Sequence, residues 1–214
     1  MEASADRRPV IVTGASGIAG WHLLQALGDR RIDAIGVSRR EGADGLKADL
    51  TDAAAVASMR LSAGVVHAAG LTPHRGRGSW EAFRDANVRT TEILATEAVA
   101  QGARFFVYLS TAGVYARRHR TPTGRFYVVS KLLAERRLRQ IARGRVPLWI
   151  LRPASLYGAR DTGSVARLIR AARRGRLLLP GGGNQRKCLL YAGTLAQAVT
   201  SEIAEGLAPG ARTE

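Results

Sequence analysis

The sequence predicts an α/β fold, a doubly wound parallel sheet with helices on both faces. Two observations carry this expectation. Short apolar, β-branched runs alternate with helix-length segments along most of the 214 residues, the pattern made by parallel strands joined through helical crossovers. The first such run leads directly into a glycine-rich turn that opens a helix, the start of a βαβ unit. No internal repeat, low-complexity linker or membrane-length apolar run breaks the alternation.

The elements follow in order. Arg8-Pro-Val-Ile-Val12 reads as a buried strand, Thr13-Gly-Ala-Ser-Gly-Ile-Ala-Gly20 as the turn, and Trp21 to Leu27 as a helix that Gly28 ends. Ile32 to Val37 is a second strand, finishing in Ser38-Arg39-Arg40, and Asp49-Leu-Thr-Asp52 starts another helix. Gly64 to Gly70 has the look of a strand end. Trp80 to Gln101 reads as one helix with Phe83, Asn87, Thr91 and Leu94 on its inner side. Phe105 to Ser110 is the most β-like run, Tyr127 to Arg143 a helix with a basic outer face, Leu148 to Leu151 a strand, and Val165 to Arg174 helix-like.

Composition bounds the function classes. With 46% hydrophobic residues, 24 glycines and 7 prolines, the chain has the makings of a packed core and excludes disorder and collagen-like repeats. The single cysteine, Cys188, excludes an internal disulfide framework and a cysteine-rich zinc site. His67, His74 and His119 lack metal-ligand spacing, so no metal is expected. Met1 to Arg8 lacks the apolar segment of a signal peptide, and a cytoplasmic protein without membrane contact is expected. Thirty-three basic residues against 17 acidic ones give a net charge of +16. Only Lys47, Lys131 and Lys187 are lysines, and the arginines are not interleaved with aromatics. That reads as arginine-rich background rather than a stacking surface, so nucleic acid is a disfavoured partner.

Chemistry concentrates in a few residues. Gly14, Gly17 and Gly20 are spaced G-x-x-G-x-x-G. Without side chains, such a turn lets backbone approach a pyrophosphate at a helix N-terminus. An acidic residue at the end of the second strand would take the ribose 2′-hydroxyl of NAD. Ser38 and Arg39 stand there instead, and a guanidinium suits a 2′-phosphate. NADP(H) is therefore preferred, with nearby Glu41 leaving NAD(H) open. Tyr127 and Lys131 lie one helical turn apart on one face. A neighbouring ammonium is expected to lower the tyrosine pKa, and the lysine can reach a cofactor ribose. Thr111, just after the strongest strand, can hold a substrate oxygen beside Tyr127. The trio suits proton transfer at a carbinol while hydride passes to or from nicotinamide.

In their order these motifs resemble the extended short-chain dehydrogenase/reductases of the NAD-dependent epimerase/dehydratase family. The resemblance implies a Rossmann fold and assigns roles by position. It gives Gly14, Ser16, Gly17 and Ile18 to the cofactor turn, Asp49 and Leu50 to adenine, and His67, Ala68 and Ala69, in His67-Ala-Ala-Gly70, to adenosine and ribose. Asn87-Val88 matches a structural asparagine. Ser110-Thr111 with Val114-Tyr115 matches the active-site strand end, with Thr111, Tyr127 and Lys131 as catalytic residues. Leu151-Arg-Pro-Ala-Ser-Leu-Tyr-Gly158 places Pro153 and Ser155 near the nicotinamide. Lys187, with Arg186 beside it, falls where relatives place a basic residue on a substrate diphosphate. A nucleotide-diphosphate sugar is the expected small-molecule substrate, epimerisation and reduction the expected reactions, and a homodimer an open option.

The chain departs from the family pattern in four places. Thr111 to Tyr127 is short and basic, with Arg117-Arg-His-Arg120 and Arg125. Ala112-Gly113 carries no acid pair, which disfavours a 4,6-dehydratase. Gly193-Thr194 replaces an acidic pair, with Thr194 expected to cap a helix. Finally, the chain stops soon afterwards, so the expected organisation is a Rossmann domain over 1–158 and a small, truncated substrate-binding segment over 159–214, interleaved with the end of that domain. The shortened end raises the alternative of a non-catalytic dinucleotide-binding protein.

Overall fold

The computed structural model describes residues 8–39, 45–73, 78–116, 121–176, 183–184 and 186–206. Six parallel strands form the main sheet: β1 (Val10–Thr13), β2 (Ala34–Ser38), β3 (Gly45–Lys47), β4 (Val65–His67), β5 (Phe106–Leu109) and β6 (Leu148–Leu151), in the order β3-β2-β1-β4-β5-β6. Sequence order reverses between β1 and β4, so a crevice opens at the carboxyl ends of those two strands, the place where such sheets bind ligands.

The five strands other than the exposed edge strand β3 feed two cores, because successive side chains point to opposite faces. Val10, Val12, Val66, Val107 and Leu109 pack with Leu23 and Leu27 of α1 (Ile18–Asp29) and Leu195, Ala196 and Val199 of α7 (Ala192–Ala204). Ile11, Val65, Phe106 and Tyr108 face the other way, against Val56 of α2 (Ala53–Ala57), Leu94 and Ala98 of α4 (Thr90–Ala100), and Ala134 and Leu138 of α5 (Pro122–Ala142). The doubly wound sheet expected from the alternation is therefore present. Because α7 packs on α1, the chain beyond Gly158 returns to the main sheet. A second, two-stranded parallel sheet joins β7 (Ser155–Tyr157) to β8 (Leu189–Tyr191), and α6 (Ser164–Arg173) lies between them in sequence.

Local chemistry shifts several boundaries. Gly28 does not end α1; the helix runs on to Asp29, and Arg31, with φ of 55°, makes the left-handed turn that breaks it. The helix at 80–101 is not uniform. After α3 (Trp80–Arg84) a π-helical turn over Asp85–Arg89 precedes α4. Helix α5 starts earlier than Tyr127, since Thr121 caps it through Gly124 N–H and Pro122 occupies its first position. Thr194 is not a cap, because α7 already begins at Ala192 and Thr194 falls inside its first turn.

Candidate functional site

The glycine turn closes the carboxyl end of β1. Gly14 and Ala15 N–H both donate to Val37 O, and Gly17 N–H donates to Gly14 O. Gly14 has φ of +74°, and a Cβ there would stand 2.7 Å from Ala69 N and 2.8 Å from Ala68 C. Gly14 therefore lets the turn sit directly on the loop after β4. A Cβ on Gly20 would lie against Gly14 O, so that glycine seats α1 under the turn. Gly17 differs. Its φ of −88° suits any residue, and its Cβ would meet only Gly14 O, at 3.2 Å. What the bare Gly17 leaves is open space before the first turn of α1, which has no side-chain cap. Helices α2, α3 and α5 are capped by Asp52, Ser79 and Thr121. The free N–H groups of α1 and its dipole thus face the crevice, and the cradle fits a dinucleotide pyrophosphate.

Beneath the turn runs a buried polar chain. Ala69 N–H donates to Thr13 Oγ1, Thr13 Oγ1 lies 2.6 Å from His67 Nδ1, and His67 Nε2 lies 3.0 Å from Thr91 Oγ1. Thr91 spends its proton on Asn87 O, so it accepts from His67. The ring therefore carries its proton on Nε2, and the Thr13 hydroxyl donates to Nδ1. Burial, with the Lys131 charge nearby, holds the His67 pKa down at about 3. The Asn87 side chain, on the π turn, accepts from Leu71 N–H and donates to Leu71 O and Ser130 Oγ, tying the β4 loop to α5. An extra residue in a helical turn at a site is a recurrent device for aiming such a group.

The carboxyl end of β5 carries Thr111, which caps a 3₁₀ turn over Ala112–Tyr115 through Gly113 N–H. Its hydroxyl interacts with the Tyr127 phenol. Burial raises the Tyr127 pKa, and the Thr111 hydrogen bond is what opposes the rise. The expected ammonium does not do this. Lys131 Nζ donates to Leu109 O at 2.6 Å and lies 4.4 Å above the Tyr108 ring centre. Its own pKa falls from 10.5 to about 7 because it is buried, Glu135 alone pulling it back up. Lys131 Nζ faces the β4 loop, 3.6 Å from where a Cβ on Gly70 would be.

The other expected residues lie on several strand ends and loops. Ser38 is buried at the end of β2 and Arg39 is exposed next to it, close enough to help hold the Asp49 carboxyl acidic after the larger effect of Thr51. Asp49 itself is exposed and Leu50 buried. Ser16, Ile18, Ala68 and Ala69 line the turn and the β4 loop, half-buried. Pro153 O accepts from Ala112 N–H, which brings it beside the 3₁₀ turn, and Ser155 is exposed on β7. Arg186 and Lys187 are exposed on the stretch leading into β8, not on the β4–β6 edge that holds Thr111 and Tyr127. Arg40, Glu41, His74, Arg117 to Arg120, Gly181 and Gly182 lie outside the described residues.

One group escaped the sequence reading. Glu135, 0% exposed, accepts from Ser110 Oγ (2.6 Å), from Arg152 Nε (2.9 Å) and Nη2 (2.6 Å), and from Arg139 (3.3 Å). The signal was its place four residues after Lys131, on the inner face of the same helix. Among the described residues no cluster of three or more His, Cys, Asp or Glu could hold a metal, and no helix is long and apolar enough to cross a membrane.

Comparison with known proteins agrees with this geometry. The chain is 29% identical to a 2-alkyl-3-oxoalkanoate reductase of Stenotrophomonas maltophilia (strain K279a), over 94% of this chain and 67% of the relative. It is 30% identical to the Escherichia coli (strain K12) protein YbjS, over 85% of this chain and 61% of the relative, so it spans less than two thirds of that protein's length. MoeE5, solved in complex with UDP-glucose and NAD, matches with a TM-score of 0.76 at 26% identity, over 92% of this chain and 71% of its own. Residues 10–210 match the NAD dependent epimerase/dehydratase family, and the chain belongs to that family.

Proposed function

We propose that the chain is an NAD(P)-dependent oxidoreductase or epimerase that acts at a carbinol or ketone carbon. The observation that carries this reading is the interaction of Thr111, just after β5, with Tyr127 of α5, at the carboxyl side of a sheet whose β1 ends in the uncapped glycine turn. Nicotinamide, when bound, supplies or accepts the hydride. Thr111 orients the substrate oxygen, and Tyr127 gives or takes its proton at the phenol oxygen. Lys131 turns from Leu109 O towards the ribose, and its charge then favours the phenolate. Gly14, Ser16, Gly17 and Ile18 hold the pyrophosphate, His67, Ala68 and Ala69 the adenosine side, and Pro153 and Ser155 the nicotinamide side.

NADP(H) is the preferred cofactor in this reading, with Arg39 taking the 2′-phosphate and Ser38 supporting it. A nucleotide-diphosphate sugar is the favoured substrate, its phosphates met by Arg186 and Lys187, and the structures of MoeE5 with UDP-glucose support the class. Dehydratase chemistry is disfavoured for a steric reason as well. A Cβ on Gly113 would stand 3.2 Å from Val128 and 3.3 Å from Thr111 Oγ1, leaving little room for a carboxylate. The likeness to a 2-alkyl-3-oxoalkanoate reductase favours a second reading, net reduction of a 3-oxo acid.

The test is titration with NADPH and NADH, then turnover with a nucleotide-sugar panel and with 3-oxo acids. Arg39→Ser is expected to weaken NADPH at least tenfold and leave NADH within about twofold. Tyr127→Phe is expected to abolish turnover and leave cofactor binding intact. Tighter binding of NADH than NADPH by the unaltered protein sinks the Arg39 argument, and unchanged turnover in Tyr127→Phe sinks the catalytic one.

A further inference from the structure

Four elements surround Thr111, Tyr127 and Lys131: the end of β5, the 3₁₀ turn, α5 and the end of β6. They meet on one buried carboxylate. Glu135 accepts from Ser110 Oγ, the residue immediately before Thr111, and from two nitrogens of Arg152, the residue immediately after β6. Arg152 Nη1 reaches on to donate to the Tyr115 hydroxyl at 2.7 Å, its guanidinium 5.1 Å from the ring centre. Tyr115 ends the 3₁₀ turn that Thr111 begins, and it is 67% exposed, so burial does not fix its place. The backbone closes the same loop, since Ser110 N–H donates to Leu151 O and Ala112 N–H to Pro153 O. Thr111 is thus held from the front through Ser110 and from behind through Tyr115.

We infer that Glu135, acting through Ser110 and through Arg152 and Tyr115, is a positioning residue that sets the Thr111 hydroxyl against the Tyr127 phenol. A carboxylate suits this task better than an amide. It accepts from the two Arg152 nitrogens as a matched fork while its Oε1 still takes the Ser110 proton, and neither Gln nor Leu reproduces that acceptor set. Ring contact alone leaves Tyr115 free to slide on the guanidinium; its hydroxyl fixes the register. The buried ion pair is worth little as net stabilisation, because both charges lose water to form it. Its consequence is geometric, and near-attack geometry is sensitive to displacements of about 1 Å. The Glu135 charge has a second effect on the site, since it raises the pKa of the buried Lys131 against the larger lowering by burial.

This inference rests on the proposed function for the importance of the Thr111–Tyr127 contact, and its test separates the two. The full chain is labelled with ¹³C at tyrosine Cζ, and the Tyr127 resonance is assigned with Tyr127→Phe. That carbon responds to hydrogen bonding at the phenol without any turnover. Thr111→Ala marks the shift of a Tyr127 that has lost its partner. Tyr115→Phe, which keeps the ring and removes one exposed hydroxyl, and Glu135→Gln are each expected to move the resonance in the same direction as Thr111→Ala. Tyr115→Phe is also expected to keep its melting temperature and its NADPH and NADH affinities within about twofold, while turnover falls about tenfold at unchanged KM. Glu135→Asp, which keeps the charge, is expected to restore the resonance part of the way. A Tyr127 resonance that moves in Thr111→Ala but stays fixed in Tyr115→Phe overturns the inference, as does one that stays fixed in Thr111→Ala. If Glu135→Gln does not fold, Tyr115→Phe alone decides. If the unaltered protein turns over no substrate, the proposed function falls and the resonance still decides the positioning role.

Discussion

Replacing Lys131 with Met is expected to make the protein more stable in acid and less able to hold cofactor. The lysine is buried, its pKa depressed from 10.5 to about 7. In the unfolded chain it titrates near its ordinary value, so between pH 7 and 10.5 the unfolded state binds the extra proton. Stability therefore rises with pH across that window, and the full penalty for burying the charge is present below pH 7. A fall of that size corresponds to about 5 kcal/mol as a ceiling. Methionine fills a similar volume without charge, but it leaves Leu109 O without its donor, which costs about 1–3 kcal/mol. The net gain at pH 6 is then about 2–4 kcal/mol, shrinking to between about −1 and +1 kcal/mol at pH 9. Urea unfolding of both proteins at the two pH values measures it. A Lys131→Met protein that is no more stable at pH 6, or whose advantage does not shrink with pH, refutes the assignment of Lys131 as a desolvated cation. NADPH affinity should fall at least tenfold in the same variant, as the proposed contact of Lys131 with the cofactor ribose requires.

Three further outcomes follow from the same geometry. His67 is neutral in the folded protein with a pKa near 3, so its contribution to stability is present above pH 6.5 and lost as pH falls towards 3; urea midpoints in His67→Gln should decline less steeply over that range than in the unaltered protein. Gly17→Ala should leave the melting temperature nearly unchanged and weaken dinucleotide binding at least tenfold, whereas Gly20→Ala, whose Cβ collides with backbone at Gly14, should lower stability by about 2–4 kcal/mol; thermal melts paired with cofactor titration separate the two. Asn87→Ala strands Leu71 N–H and O and removes one partner of Ser130 Oγ, and should cost about 2–4 kcal/mol in urea unfolding while speeding hydrogen exchange at Leu71.

The sheet was legible because its signal is local. A parallel strand covered on both faces reads as a continuous apolar run, and β1, β4, β5 and β6 are such runs. Strand β3, Gly45–Lys47, is exposed along its length and sits at the sheet edge, so it carries no such pattern and was not anticipated. The pairing of β7 with β8 joins residues more than thirty positions apart and depends on how the intervening chain folds, which no local period encodes. The site divided in the same way. Gly14, Thr111, Tyr127 and Lys131 stand in motifs of fixed spacing and could be named from them. The Thr111–Tyr127 contact and the Lys131–Leu109 bond depend on how α5 lies on β5, which no local spacing encodes.

The buried polar groups are where the sequence and the fold disagree most, and they lie together. Among the described residues Lys131, Glu135, His67 and Asn87 are all nearly inaccessible, in a chain whose other charges crowd the surface. A hydrophobic residue at any of the four would satisfy the local helical or strand pattern better. Each is instead matched by partners drawn from distant elements: Leu109 O for Lys131, Ser110 and Arg152 for Glu135, Thr13 and Thr91 for His67, Leu71 and Ser130 for Asn87. A fold selected for stability alone gains nothing from four such burials at one crevice, because desolvation offsets most of what their hydrogen bonds return. Their position around the ends of β1, β4 and β5 makes sense if the crevice must present rigid polar atoms to a ligand. The net charge of +16 is a separate matter. Arginines such as Arg136, Arg137, Arg143 and Arg145 are exposed on or just beyond α5, whereas Arg152 and Arg139 reach the buried Glu135. Neutralising several of the former should alter solubility and leave dinucleotide affinity within about twofold, whereas loss of Arg152 reaches Thr111 through Tyr115.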